Sequence, residues 1–175
     1  YRSGPKWPAE FITETQARRN LQVVRNLGCG SVHIGGGEPL LDPDTTLRVI
    51  AIAAEERVGI EYVETNAAWF RDEKQALDLC ERLLDAGCST LLVSISPFHN
   101  EFIPFYKTRG VITACERTGI SVFPWVADFA GDIGAFDERK THLISEYETR
   151  LGKGYLAGLP RRYWINPGGR ALETL

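Results

Sequence analysis

Residues 28–43 read GCGSVHIGGGEPLLDP, and they contain a complete passage from one helix end, through a strand, to the next helix start. Gly28 suits the left-handed backbone position just past a helix terminus. Ser31-Val32-His33-Ile34 is a short β-prone run. Gly35-Gly36-Gly37-Glu38-Pro39 is a loop, and Asp42-Pro43 sets a capping side chain before a proline at the first helical position. The same order recurs along the chain. Gly59, Gly87 and Gly119 follow helical runs at intervals of about 30 residues, the length of one helix, one strand and two tight loops. They precede the β-prone runs Ile60–Val63, Thr90–Val93 and Ile120–Phe123, and Gly152 continues the series.

The expected helix starts keep step with these glycines. Thr13 and Gln16 have capping-box spacing ahead of an apolar stripe of Ala17, Leu21, Val24 and Leu27. Asp42 is expected to cap a helix carrying Leu47, Ile50, Ala51, Ala54 and Val58, and Asp72 with Gln75 one carrying Ala76, Cys80, Leu83 and Leu84. Pro104 can open a helix through Val111, Ile112 and Cys115, and Asp137 is expected to cap one through Leu143, Ile144, Tyr147 and Leu151. The strand segments are apolar nearly throughout, as where both sheet faces are covered. Strict alternation of strand and helix implies a parallel sheet with right-handed crossovers. An open Rossmann-like sheet and a (β/α) barrel, whole or partial, both satisfy it. No linker or charge block divides the 175 residues, so residues 1–175 read as one domain.

Composition narrows the function. A net charge of −3 argues against nucleic-acid binding as the main activity, and the absence of a long apolar run argues against a membrane span. The four cysteines, Cys29, Cys80, Cys88 and Cys115, form no C-x-x-C pair, and Cys80 and Cys115 fall on apolar helix faces as reduced thiols would, which suits a cytoplasmic protein. His33, His99 and His142 have no zinc-ligand spacing. The chain holds no methionine and starts at Tyr1, so it reads as an internal piece of a longer protein.

In parallel α/β folds, function gathers in the loops after the strands. The three glycines of the first loop expose backbone to a ligand, and Glu38 beside them suits a cationic amino group better than a phosphate. Asn66 ends the second strand region as a turn residue or a ligand contact. Ser94 and Ser96 alternate with Ile95 and are expected on one face. His99 lies in the following loop. His33, inside its strand, reads as an interior histidine. Trp125, Asp128 and Asp132 follow the fourth strand, and an expected strand Tyr163-Trp164-Ile165 leads to Gly169 and Arg170.

These residues resemble a known family. Gly36-Gly37-Glu38-Pro39 at the end of a strand is similar to the GGEP motif of radical S-adenosylmethionine (SAM) enzymes. Thr65-Asn66-Ala67 resembles that family's T-N-G, Val93-Ser94-Ile95-Ser96 its V-S-I-D strand, Phe98-His99-Asn100-Glu101-Phe102 an F-H-x-E-F variant, and Gly169-Arg170-Ala171 a late G-R-A. The resemblance implies a partial parallel (β/α)6 barrel. It also implies a SAM site made by Gly36, Gly37, Glu38, Pro39, Asn66, Ser94 and Ser96, with Ser96 standing where the family usually has Asp. His33, His99, Trp125, Asp128 and Arg170 would face the substrate. In that family a [4Fe–4S] cluster, reduced by an electron-donor protein, cleaves SAM to a 5′-deoxyadenosyl radical that takes hydrogen from a small-molecule or peptide substrate.

One departure is large. The C-x-x-x-C-x-x-C motif that ligates the cluster is absent, and the resemblance places it, with the first strand, just ahead of Tyr1. The chain by itself is therefore expected to hold no cluster and to be inactive, and to self-associate through an exposed sheet edge. Two alternatives stand beside this reading. One is a degenerate barrel of the same type that binds a peptide or small molecule without redox chemistry. The other is an unrelated barrel lyase or isomerase, disfavoured because none of Lys6, Lys74, Lys107, Lys140 and Lys153 ends a strand.

Overall fold

The computed structural model describes residues 10–125 and 128–162. The first helix, α1 (Glu14–Asn26), starts at the expected capping box: the Gln16 N–H donates to Thr13 Oγ1, and the Thr13 N–H to Gln16 Oε1. Then follow β1 (Ser31–Ile34), a 3-10 turn (Pro39–Leu41), α2 (Pro43–Glu55), β2 (Gly59–Thr65), α3 (Glu73–Asp85) and β3 (Thr90–Ser94). Beyond them lie the four-residue α4 (Pro97–Asn100), α5 (Phe105–Thr118), β4 (Ser121–Trp125), α6 (Phe129–Gly134), α7 (Ile144–Leu151) and α8 (Tyr155–Arg162). Asp42 caps α2 and Asp72 caps α3 as the sequence implies.

All pairings are parallel, and the sheet order is β1-β2-β3-β4, the order of the chain. That order separates the two architectures. Same-handed crossovers between successive neighbours put every helix on one face, whereas a doubly wound sheet reverses direction and covers both. The core agrees. Val63, Leu91 and Val93 are sealed with Ile50 of α2, Leu79, Cys80 and Leu83 of α3, and Val111, Ala114 and Cys115 of α5. Each such Leu or Ile contributes roughly 1.5–3 kcal/mol by leaving water. A second cluster joins α1 to α2 through Ala17, Leu21, Ile52, Ala53 and Val58. A buried carboxylate, Glu56, reinforces that seam by accepting from Arg18, Gln22 and Arg25.

The winding corrects the expectation that both sheet faces are covered. Glu61 is exposed, Tyr62 and Glu64 are half-buried, and Phe123 is 46% exposed, so the face away from the helices is open over much of its extent, with Leu92 of β3 buried between Glu64 and Phe123. His33 lies there too and is exposed rather than interior. A bulge explains its setting. Val32 pairs with Ile60 and Ile34 with Val63, so His33 alone opposes both Glu61 and Tyr62. Its ring stacks on Tyr62, centroids 4.9 Å apart, and Ser31 Oγ donates to Glu61 at 2.5 Å.

Three further expectations change. The left-handed position after α2 is taken by Arg57 (φ 60°), not by Gly59, which opens β2. Asp137 caps no helix; it accepts from the Arg139 N–H in a turn, and α7 starts at Ile144 behind Leu143. Ser96 stands beyond the end of β3 and caps α4. The segment 163–171, with its expected strand and Arg170, lies outside the described residues. No described helix is long and apolar enough to cross a membrane.

Candidate functional site

Because the strands are parallel, Ile34, Thr65, Ser94 and Trp125 bring the loops that follow them to one end of the sheet. At the end of β1 the two glycines differ in why they are glycine. Gly36 has φ +135°, where a side chain is strained. Gly37 has no such φ, and a Cβ built there meets nothing within 4 Å. Neither its backbone nor its neighbours among the described residues require glycine, as holds also for Gly30, Gly131, Gly134 and Gly158. Gly36 and Gly37 are both exposed.

Glu38 sits differently from the expectation of a free carboxylate. It is 8% exposed and caps the 3-10 turn. Oε1 accepts from the Leu40 N–H at 3.1 Å and from Thr65 Oγ1 at 2.9 Å, and Oε2 accepts from the Asn66 N–H at 2.6 Å. Burial pushes the carboxyl up from 4.5 to about 7 against these donors, and the neighbouring Glu64 carboxylate adds to the rise. Pro39 is buried behind it, and its carbonyl accepts from Thr46 Oγ1 at 2.6 Å.

The loop after β2 is organised by Thr65 and Asn66. Thr65 Oγ1 accepts from the Ala67 N–H at 3.0 Å and from Trp69 Nε1 at 2.9 Å. Asn66 Oδ1 accepts from the Ala68 N–H in an Asx turn. Its amide nitrogen has no partner among the described residues, nor has the hydroxyl of Ser94, which stands one step past the Thr65–Val93 pair. Ala67 takes the left-handed conformation (φ 67°) at the position where the resembled T-N-G motif has glycine.

The segment after β3 is held mostly from within. Ser96 Oγ accepts from the His99 N–H and lies 2.7 Å from His99 Nδ1. Burial lowers the imidazole from 6.5 to about 4, so His99 is neutral at pH 7. Asn100 and Glu101 anchor α7: Tyr147 OH donates to Asn100 Oδ1 at 2.6 Å, and the Ile144 N–H to Glu101 Oε1 at 3.2 Å. Asp128 is exposed and makes no capping bond to α6, while Asp132 accepts from Tyr155 OH at 2.7 Å. Trp125 ends β4, and its side chain lies outside the described residues.

The structure thus bonds Glu38, which follows Gly36 and Gly37 in the chain, to Asn66, and sets Ser94 at the end of the next strand. His33 lies lower on the open face, and Ser96 and His99 bond each other. Sequence reasoning passed over Thr65 and Trp69 as site residues. The available signal was a tryptophan four residues after a threonine at a strand end, a spacing that lets an indole N–H return to the hydroxyl.

The cysteines do not make a cluster site. Cys80 and Cys115 are buried with their Sγ atoms 3.9 Å apart between α3 and α5, Cys88 is buried, and Cys29 is exposed. No group of three His, Cys, Asp or Glu side chains that could hold a metal occurs among the described residues.

Four parallel strands wound in one direction, with a glycine-rich loop after β1 and polar residues across the next two strand ends, define a partial (β/α)-barrel protein. The sequence pattern of the radical SAM superfamily matches residues 1–117, more than half of the chain, and the chain belongs to that superfamily. No curated protein matches it.

Proposed function

We propose that this chain is the SAM-binding core of a radical SAM enzyme. The Gly36–Gly37 main chain would receive the amino group of SAM's methionine moiety, and Asn66 and Ser94 would bond its ribose and carboxylate side. The observation that carries this reading is the family's sequence pattern over residues 1–117, together with the exposed Gly36–Gly37 backbone held beside the Glu38–Asn66 bond. Bound SAM, given an electron from a [4Fe–4S] cluster and an electron-donor protein, supplies a hydrogen-abstracting 5′-deoxyadenosyl radical. The chain's own residues bind and orient: Glu38 fixes the glycine loop, and Ser94 and Asn66 present polar atoms to the ligand. The open sheet face with His33, and the loops with His99, Trp125, Asp128 and Arg170, would meet a small-molecule or peptide substrate. The setting proposed is the cytoplasm, where the thiols stay reduced.

Titration calorimetry with SAM tests this. Wild-type protein binds, and Gly37→Ala weakens binding at least about tenfold, worth about 1.4 kcal/mol. Its urea midpoint stays that of the wild type, because the added Cβ meets open space. Absence of SAM binding, or equal binding by the variant, overturns the reading. The dispersed cysteines favour a second reading, a barrel that binds its ligand without redox chemistry. Anaerobic reconstitution with iron and sulfide separates the two: incorporation of a cluster by the full-length protein excludes the non-redox barrel.

A further inference from the structure

We propose that Thr65 is a positioning residue of the ligand loop: its hydroxyl holds the Glu38 carboxylate inward and leaves the Gly36–Gly37 main chain as the surface a ligand meets. This rests on reading that loop as the ligand's cradle. A threonine hydroxyl has one proton to donate and two lone pairs to accept with. Thr65 is 1% exposed, and both lone pairs are filled, by the Ala67 N–H at 3.0 Å and by Trp69 Nε1–H at 2.9 Å. Its proton therefore has one direction left, toward Glu38 Oε1 at 2.9 Å. The Trp69 indole, 5% exposed and packed in the core, fixes that direction from the far side of the oxygen.

The consequence for recognition is specific. Leu40 and Asn66 donate to the same carboxylate, so three of its sites face the protein. A ligand at the glycines then meets their exposed main chain rather than the carboxylate. β2 thereby sets the shape of a loop that belongs to β1. A hydrogen bond to the charged form lowers a carboxyl's pKa, so loss of the Thr65 hydroxyl raises that of Glu38. Glu64 is the other charged group bearing on Glu38 among the described residues.

The test is a ¹³C NMR titration of the Glu38 side chain, read with the amide peaks of Gly36 and Gly37, in wild type, Thr65→Ser and Thr65→Val. Thr65→Cys, with its weaker donor, replaces the valine variant if that one fails to fold. The serine variant is expected to titrate like wild type. The valine or cysteine variant moves the Glu38 midpoint up by about one pH unit and shifts both glycine peaks, while the peak of Gly28, at the opposite end of the sheet, stays in place. An unchanged Glu38 midpoint with unmoved glycine peaks, or a serine variant as perturbed as valine, overturns the proposal. SAM affinity measured in parallel keeps the two ideas apart. Failure of the wild type to bind SAM removes the ligand reading, and the titration still decides whether Thr65 fixes the loop.

Discussion

Glu38 and His99 both titrate away from their ordinary ranges for the same reason, burial, and the two effects on stability have opposite signs. Glu38 titrates at about 7 in the fold against 4.5 ordinarily, so between those values the native state binds more protons than the unfolded chain. Its contribution is therefore full below 4.5 and lost as the pH rises through 7. His99 titrates at about 4 against 6.5, so the unfolded chain binds more protons there. Its contribution is present above 6.5 and lost as the pH falls through 4. The slopes oppose each other where the windows overlap. Glu38→Gln is expected to show a urea midpoint that climbs with pH across the His99 window, and His99→Gln one that declines across the Glu38 window. Wild type should be the flattest of the three. A Glu38→Gln profile that keeps the wild-type slope would show that the carboxyl is not the source.

At the level of elements, the caps and the helix stripes were legible because they depend on neighbours in sequence. Thr13 with Gln16, Asp42 with Thr45, and Asp72 with Gln75 each specify a helix start by a bond that closes within three residues. What the sequence concealed depends on distant partners. His33 looked interior because its strand is short and apolar, and only the one-sided winding leaves it on an open face. Thr65 was passed over because its partners Glu38 and Trp69 lie on either side of it along the chain, the first 27 residues away. The Asp137 expectation failed because a turn took that carboxylate before α7 began. Arg57 is an exposed residue held at φ 60° where glycine would be relaxed. Arg57→Gly is accordingly expected to raise stability by about 0.5–1 kcal/mol, read as a higher urea midpoint with unchanged slope. A lower midpoint would mean that the arginine side chain contributes more than its backbone costs.

Across the whole molecule, the sheet has two central strands and two flanking ones. β2 and β3 bond to neighbours on both sides, while β1 and β4 are each paired on one side among the described residues. Pro124, which has no N–H to offer a neighbour, lies in β4, a placement typical of flanking strands. Native-state hydrogen exchange should therefore find the amides of Val63, Leu91 and Val93 opening only with global unfolding, and those of Val32 and Val122 opening earlier. Uniform protection across all four strands would mean that the flanking strands are covered by further chain. The one-directional winding has a last effect. Gly28, Arg57, Gly87 and Gly119 close the turns at one rim, where each is constrained by its own backbone, and the glycine cradle, Asn66 and Ser94 occupy the other. Drift at the second rim can rewrite what the molecule acts on while the first keeps it folded, so descendants of such a chain can diverge in chemistry long before they diverge in shape.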